Sequence, residues 1–296
     1  MPLHKVESPR LTPNGLPAER PTHVLLHLSD THLTTVGTRY NGVIDADAAL
    51  ARTIDRIRGS VRHGRRVDTI VASGDLTDSG DPDAYRRLRV ALESLALPVI
   101  YACGNHDVRS VLHEQLLDLP DVPDAVLQVH DVHGLRVVVL DSTVPRSGIG
   151  RLDEGHLDEL RDVLRTPAEH GTVVVLHHAP LPPPSPLLAH FALDRTSRAA
   201  LAAALAGTDA RIVLAGHHHL GQSGMLGTVP VAVAPSVAIR TDPLGPPGHE
   251  LTTASSGFNL VDVYPETITV SVIPVDDAGQ VFDLDRTACA AVIAAH

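Results

Sequence analysis

The chain has 296 residues, 43% of them hydrophobic, and a formal net charge of −11 at pH 7. This length suits one large α/β domain or two small ones, and the apolar content is sufficient for a sizeable core. The acidic balance argues against a nucleic-acid polymer or an anionic membrane surface as partner, because counterion release requires clustered lysine and arginine side chains. An anionic small molecule would therefore need a local source of positive charge, such as a metal ion.

Cysteine content and apolar runs predict the compartment. Cys103 and Cys289 are the only cysteines, too few for a disulfide framework. No apolar run approaches the length of a membrane span, which predicts no stable membrane insertion, and the N-terminus lacks the apolar core of a secretory signal. We therefore expect a cytoplasmic protein. Five prolines within residues 1–22 predict an N-terminal arm that is either disordered or loosely docked.

Two polar residues follow the first predicted strand. The apolar run His23–Leu28 indicates a buried strand, and Asp30 and His32 come shortly after it. Side chains two residues apart point the same way if the backbone stays extended. A carboxylate and an imidazole in this arrangement can bind one ion, although Asp-x-His also occurs in ordinary loops. A helix is predicted next, over 45–58.

The second predicted strand, Val67–Val71, leads to Gly74 and Asp75. This pattern puts Asp75 at the carboxyl end of the strand, where ligands bind in open α/β sheets. Its two oxygens allow the carboxylate to bridge two metal ions. The alternative interpretation is a helix cap, because a helix is predicted shortly afterwards, over 81–94.

The third predicted strand, Pro98–Cys103, ends in Gly104-Asn105-His106-Asp107. A turn glycine is again followed at once by a side chain that can act as a ligand, here the neutral amide oxygen of Asn105. The next residue, His106, offers a proton donor near neutral pH.

The rest of the chain continues the alternation of strands and helices. The predicted elements are strands over 125–130 and 135–140 joined as a hairpin, a helix over 155–164, a strand over 172–176, a helix over 196–206 and a strand over 211–215. A second group of strands is predicted over 230–233, 258–264 and 267–273.

Loops and tails complete the predicted organisation. Residues 181–193 are predicted to be a loop and a wall of the site, and residues 241–257 a mobile loop. No linker divides residues 23–275, so we expect one domain there. Residues 276–296 are predicted to be a C-terminal tail with a short helix from Asp285.

Five of the predicted strands end in side chains that can bind metal, and this recurrence is hard to assign to chance. The set mixes imidazole, carboxylate and amide donors, which suits manganese, iron, zinc or cobalt rather than a cysteine-based structural zinc. The candidate ligands are Asp30, His32, Asp75, Asn105, His177, His217 and His219. By simple alternation, His178 and His218 point away from the metals and receive no role.

These motifs resemble, block by block, those of the calcineurin-like metallophosphoesterases. The resemblance covers residues 23–275 and implies an α/β fold, a four-layer αββα sandwich of two mixed β-sheets flanked by helices. It also implies two divalent or trivalent transition-metal ions, with manganese, iron or zinc as the candidates. The matching blocks are Asp30-x-His32, Gly74-Asp75-x-x-Asp78, Gly104-Asn105-His106-Asp107, His177 and Gly216-His217-x-His219.

The resemblance further implies how the ligands divide between the two ions. A hydroxide bridging the ions would attack phosphorus in line, while the ions neutralise the phosphoryl oxygens. The neutral amide of Asn105 preserves positive charge for a phosphate anion. One ion would take Asp30, His32, Asp75 and His219, and the other Asp75, Asn105, His177 and His217, with Asp75 bridging.

Two further residues are the predicted catalytic side chains. His106 is left over once the ligands are assigned, and we predict that it stabilises transition-state charge and protonates the leaving oxygen. By the family resemblance, Asp78 orients His106. The alternative for Asp78 is an ordinary loop or helix-cap carboxylate.

The substrate is predicted from two segments. Leu25–Leu33 and Gly134–Ser142 resemble the bacterial class III cyclic-nucleotide phosphodiesterases, especially actinobacterial members. The resemblance implies a small-molecule phosphodiester substrate, namely 3′,5′-cAMP and/or 2′,3′-cyclic nucleotides. One alternative is a broader phosphoesterase acting on glycerophosphodiesters or phosphomonoesters. The other is a non-catalytic scaffold, which has no need of His106 or of seven intact ligands.

Three further expectations are independent of the reaction. The resemblance leaves a homodimer open. Asp141 is expected to be structural. Aromatic residues are only 2% of the chain, too few to nominate one that stacks on an adenine ring.

Overall fold

Two β-sheets pack face to face, and helices cover both outer faces. The computed structural model describes residues 19–246, 249–276 and 284–294. The strands are β1 (His23–Leu28), β2 (Thr69–Ala72), β3 (Val99–Tyr101), β4 (Gln128–Val132), β5 (Leu135–Val139), β6 (Thr172–His178), β7 (Ala210–Gly216), β8 (Gln222–Leu226), β9 (Val229–Val233), β10 (Arg240–Asp242), β11 (Leu251–Thr253), β12 (Gly257–Val263) and β13 (Ile268–Pro274). The helices are α1 (Ala46–Arg62), α2 (Pro82–Glu93), α3 (Arg109–Leu116), α4 (Glu154–Leu164), α5 (Pro186–His190), α6 (Arg195–Leu205) and α7 (Arg286–Ala294).

Both large sheets are mixed. One has the strand order β13-β12-β1-β2-β3, and the other has the order β4-β5-β6-β7-β9-β8. In the first sheet β1, β2 and β3 run parallel to one another. Strand β12 is antiparallel to both of its neighbours, β1 and β13. In the second, β5, β6, β7 and β9 are parallel between antiparallel edge strands. The carboxyl ends of β1, β2 and β3 therefore meet at one edge, as do those of β6 and β7.

Alternation along the strands divides the apolar core into three layers. Leu26 and Ile70 pack under α1 and α2 on one outer face, and Val174 and Val213 pack under α4 and α6 on the other. The intervening strand residues face the opposite sheet. This inner layer includes Leu25, Val71, Ile100, Val137, Val175 and Leu214. The predicted four-layer αββα sandwich is confirmed.

Aspartate caps set the starts of the helices. The Asp45 side chain accepts a hydrogen bond from the Ala48 N–H at the start of α1. The Asp81 side chain does the same for α2 with the N–H groups of Asp83 and Ala84. Since Asp81 itself caps α2, the cap interpretation of Asp75 is wrong.

Several connections differ from the prediction. The segment 181–193 contains the short helix α5, and the segment 241–257 contains strand β11, which pairs with β10 as a two-stranded ribbon. Strand β8 and helix α3 were not predicted. The second group of strands is divided, because β9 joins the six-stranded sheet whereas β12 and β13 join the other. Which sheet a strand joins depends on pairing partners that lie far apart in the sequence. The local periodicity of apolar residues carries no information about those partners.

The chain ends are only partly described. Residues 1–18 of the predicted arm and residues 277–283 and 295–296 of the predicted tail lie outside the described residues, so the division into arm, domain and tail stays a prediction. The helix predicted from Asp285 is present as α7. Among the described helices, none combines the length and apolar content needed to cross a membrane.

The inner apolar layer gives a test of the fold. Leu25 is fully buried between the sheets, and removing its side chain leaves a cavity that two rigid sheets cannot collapse. We expect Leu25→Ala to lower the free energy of unfolding by about 2–5 kcal/mol. Leu244→Ala is the matched control, because Leu244 is 91% exposed. Urea denaturation followed by circular dichroism measures both, and equal losses would contradict this packing.

Candidate metal centre

The loops that follow β1 and β2 run side by side beyond the sheet. The Asp30 N–H donates to the Gly74 carbonyl at 3.0 Å, and the His32 N–H donates to the Asp75 carbonyl at 3.0 Å. These backbone hydrogen bonds extend the strand pairing and bring three predicted ligands together. The carboxylates of Asp30 and Asp75 are both buried there.

The backbone at Asp30 and His32 is not extended, so the condition under which both side chains would point the same way by alternation is not met. Their φ angles are +55° and +43°, in the left-handed region. Asp75, His217 and His219 also have positive φ, at +49°, +70° and +51°. Each such residue costs roughly 1–3 kcal/mol, and strain of this kind persists only where the surroundings over-determine it, as at functional sites. Five of the seven predicted ligands therefore have a strained, left-handed backbone.

Four of the predicted ligands form one cluster. One ligand atom from each of Asp30, His32, Asp75 and His219 lies within 4.8 Å of the others. The His219 Nε2 atom is 3.2 Å from Asp30 Oδ1 and 3.1 Å from His32 Nε2. This cluster has the composition that the sequence predicted for one ion.

Asp75 also belongs to a second cluster, together with His177 and His217. Its Oδ2 atom lies 3.2 Å from His177 Nε2 and 3.8 Å from His32 Nε2, between the two clusters. Its Oδ1 atom accepts a hydrogen bond from the His106 N–H at 2.8 Å. This position suits the predicted bridging role of Asp75.

Three buried atoms of the ligand set predicted for the second ion make no hydrogen bond within the described part of the chain. They are Asn105 Oδ1, His177 Nε2 and His217 Nε2. A buried polar atom without a partner costs about 1–3 kcal/mol, and coordination of a cation by these lone pairs would remove that cost. The residues present therefore fit a metal ion.

Protonation states favour the same interpretation. Burial lowers the pKa of His32 to about 3 and holds the pKa of His217 well below its usual range, so both imidazoles are neutral near pH 7. The His177 Nδ1–H donates to the Ser73 carbonyl at 2.8 Å, because a carbonyl can only accept. Burial lowers the pKa of His177, but the Asp75 charge and the hydrogen bond to Asp75 outweigh it and raise that pKa to about 9. A bound cation would oppose this rise and leave the Nε2 lone pair of a neutral His177 facing Asp75. Metal-binding histidines are commonly oriented by such a hydrogen bond.

Two glycines permit the close approach of the loops. A Cβ atom on Gly104 would lie 2.1 Å from the Asp75 nitrogen. Gly74 has a φ of +100°, and its Cβ would lie 2.6 Å from His177 Nδ1. No other residue type fits at either position without moving a predicted ligand.

Asp107 stabilises this arrangement and received no role from the sequence. Its carboxylate accepts hydrogen bonds from the backbone N–H groups of Gly104, Leu76 and Thr77 and from the Tyr85 hydroxyl, at 2.9–3.1 Å. Burial and the nearby Asp75 charge raise its pKa to about 6, against the lowering effect of these hydrogen bonds. Asp107 thus connects the loop after β2 to the loop after β3. Its place in the Gly104–Asp107 block was the only sequence signal.

Tyr40 was also missed. Its ring stacks on His32 with the centroids 4.3 Å apart and an angle of 10° between the planes. It belongs to a small apolar cluster with Ala238 and Ile239. Tyr40 therefore fixes the orientation of the His32 imidazole, and nothing in the surrounding sequence marks it.

The two predicted catalytic residues lie together beside the clusters. His106 Nδ1 is 3.3 Å from Asp78 Oδ1 and 3.1 Å from the Asp78 carbonyl. Burial lowers the pKa of His106, but the hydrogen bond to Asp78 and the Asp75 charge outweigh it and raise that pKa to about 9. Bound cations would oppose this rise. Because Asp81 caps α2, the helix-cap alternative for Asp78 is wrong.

The remaining polar residues lie outside both clusters. His178 hydrogen-bonds to Ser142 and His218 to Gln222. Asp141 pairs with the Arg109 guanidinium at 2.6 Å, which agrees with the structural role expected for it.

Comparisons with known proteins agree with this geometry. The profile of the calcineurin-like phosphoesterase family matches residues 23–221. A probable cyclic nucleotide phosphodiesterase of Rhodococcus erythropolis is 40% identical over 279 residues, 91% of this chain and 90% of that protein. The cAMP/cGMP dual specificity phosphodiesterase of Mycobacterium tuberculosis is 39% identical over 260 residues, 86% of this chain and 80% of that protein.

A solved structure shares the fold. The purple acid phosphatase from yellow lupin (Lupinus luteus) seeds superposes with a TM-score of 0.61 at 13% identity, covering 90% of this chain and 53% of that one. With the family profile and the two relatives, the chain belongs to the calcineurin-like phosphoesterase family. The predictions of the family and of a metal-dependent phosphoesterase are confirmed. Family and geometry together support a dinuclear site for divalent metal ions.

The shared carboxylate gives a test of the two clusters. Protein purified without chelator should hold about two ions per chain. Asn105→Ala should lower this to about one, since only the second cluster uses the amide. Asp75→Ala should lose most of both, because it removes a ligand common to the clusters. Elemental analysis by mass spectrometry measures the content, with Asp55→Ala, at an exposed position of α1, as the matched control. Equal metal content in the Asp75 and Asn105 variants would contradict the shared role of Asp75.

Proposed function

We propose that this protein is a dinuclear-metal phosphodiesterase that hydrolyses cyclic nucleotides, 3′,5′-cAMP and/or 2′,3′-cyclic nucleotides. The observation that carries the proposal is the pair of buried clusters sharing Asp75, with His106 beside them. The names of the two relatives at 39–40% identity support the choice of substrate class.

The proposed ligand sets follow the two clusters. Manganese, iron and zinc match the mixed nitrogen and oxygen donors. Two bound ions would lower the pKa of a bound water, so that it becomes a nucleophile at neutral pH, and would neutralise the phosphoryl oxygens. The first site is Asp30, His32, Asp75 and His219, and the second is Asp75, Asn105, His177 and His217.

His106 is proposed as the general acid. Hydrolysis of a diester joins a water oxygen to phosphorus and breaks one P–O ester bond, whose oxygen leaves as an alkoxide unless it receives a proton. His106 is 38% exposed and therefore accessible to a substrate at the clusters. Asp78 holds Nδ1 through its carboxylate and its carbonyl, which leaves Nε2 to deliver the proton.

A broader phosphoesterase activity is the second candidate. A glycerophosphodiester phosphodiesterase of Enterobacter lignolyticus is 30% identical over 163 residues, but this match spans 54% of the chain and 58% of that protein. The cyclic-nucleotide relatives match over 91% and 86% of the chain, and we rank them first for that reason. A scaffold role is disfavoured because the full set of candidate ligands is present. The homodimer and the cytoplasmic location stay predictions.

A substrate panel tests the proposed function. The purified protein, reconstituted with manganese, iron or zinc in turn, is assayed on 3′,5′-cAMP, 2′,3′-cAMP, glycerophosphodiesters and bis(p-nitrophenyl) phosphate. We expect turnover of at least one cyclic nucleotide with a higher kcat/KM than that of any glycerophosphodiester. The reverse order would favour the second candidate, and no turnover with any metal would overturn both.

The role of His106 has its own test. A positioned general acid contributes about 10²- to 10⁴-fold, so His106→Ala should lower kcat on a cyclic nucleotide, whose leaving alkoxide needs a proton, by about that factor. The loss should be much smaller for bis(p-nitrophenyl) phosphate, because p-nitrophenolate hardly needs a proton. His63→Ala, at an exposed position, is the matched control. Equal losses on both substrates would assign His106 a purely electrostatic role.

A further inference from the structure

A pocket lies directly beside the proposed metal centre. It has a volume of about 260 Å³ and is bounded by Gly104 and Asn105, by the segment from Asp107 to Ser110, by Pro123, and by the segment from Thr143 to Arg146. Asn105 lines this pocket and is also a proposed ligand, so the pocket opens next to the place where a phosphate would bind. Pockets for drug-sized molecules are roughly 300–1,000 Å³, so this one suits part of a molecule, such as one heterocycle.

The lining favours a flat, mostly apolar group with a polar edge. Val108, Pro123, Val144 and Pro145 supply the apolar surface. Among the described residues, no Phe, Tyr or Trp lines the pocket, and aliphatic and proline surfaces take the place of a stacking residue. A nucleobase has this combination of two apolar faces and a polar edge.

The charge of Arg109 is not available to a second phosphate group in this pocket. The Arg109 guanidinium is within 2.6 Å of the Asp141 carboxylate and also donates to the Thr143 hydroxyl at 2.8 Å. Its charge is therefore neutralised within the protein. Arg146 is exposed on the rim, and it can donate to the acceptor nitrogens of a base.

His178 holds one wall of the pocket in place. Its Nδ1 atom accepts from the Ser142 hydroxyl at 2.9 Å, and its Nε2–H donates to the Gly148 carbonyl at 3.1 Å. Gly150 packs so closely on the ring that a Cβ there would lie 2.4 Å from it. The buried imidazole thus anchors both ends of the Thr143–Ser147 turn, immediately after the proposed ligand His177. The carboxyl end of β6 therefore both anchors the wall of the pocket, through His178, and presents His177 to the proposed metal centre.

We infer that this pocket binds the nucleobase of the substrate and thereby gives the enzyme its preference for nucleotides over simple diesters. The inference rests on the proposed cyclic-nucleotide activity. It assigns the Val108, Ser110 and Val144 positions to substrate specificity and His178 to positioning of the pocket wall.

Product inhibition tests the pocket independently of cyclic-nucleotide turnover. The assay follows hydrolysis of bis(p-nitrophenyl) phosphate by the metal-loaded protein. It measures the Ki of 5′-AMP and the Ki of inorganic phosphate as competitive inhibitors. Ser110 is exposed at the rim, so Ser110→Leu has room to fold and to fill part of the pocket without offering an aromatic face to the base. We expect it to raise the Ki of 5′-AMP about tenfold, with the Ki of phosphate and the metal content unchanged. Val144→Ala should raise the Ki of 5′-AMP by a smaller factor in the same direction.

Ser271→Leu is the matched control, because Ser271 is exposed on β13, at the opposite edge of the sheet from β3. It should change neither Ki. A Ki for 5′-AMP that stays constant in both pocket variants, or that rises in parallel with the Ki of phosphate, would overturn the inference. Failure of the proposed function is a separate outcome, seen when the unmodified protein cleaves bis(p-nitrophenyl) phosphate but no cyclic nucleotide.

Discussion

The arrangement of the site depends on one buried carboxylate. Asp75 accepts the His32 N–H through its carbonyl and the His106 N–H through Oδ1, and its Oδ2 faces His177. A single residue therefore connects the ends of β1, β2, β3 and β6, which belong to two different sheets. Burying its negative charge is costly unless positive charge compensates it, and two ions shared by this oxygen would provide that compensation.

The sandwich supplies the rigidity that such a site requires. Strained backbone at the candidate ligands is unfavourable in itself, and it is tolerated because the loops are continuations of strands whose inner faces are buried and mostly apolar. Asp107 then fixes the loops after β2 and β3 to each other through four hydrogen-bond donors. The residues that hold the ligands are thus as important to the geometry as the ligands themselves.

Neighbouring residues on one strand serve different functions here. His177 at the end of β6 faces Asp75, and His178 faces away and anchors the Thr143–Ser147 turn. Because successive side chains of a strand point to opposite faces, the same strand end can present a ligand to the metal centre and support the wall of the adjacent pocket. Substrate preference and catalysis are in this way built on one rigid element.

The sequence by itself predicted the strand ends, the seven candidate ligands and His106, because turn glycines and ligand-type residues recur in a local pattern after apolar runs, and the family resemblance added the role of Asp78. The sequence also located the starts of α1 and α2, which Asp45 and Asp81 cap. Only the tertiary structure decided the strand order, the left-handed backbone at Asp30 and His32, and the contacts of Asp107 and Tyr40. Those features arise from hydrogen bonds and packing between segments far apart in the chain, which local periodicity cannot encode.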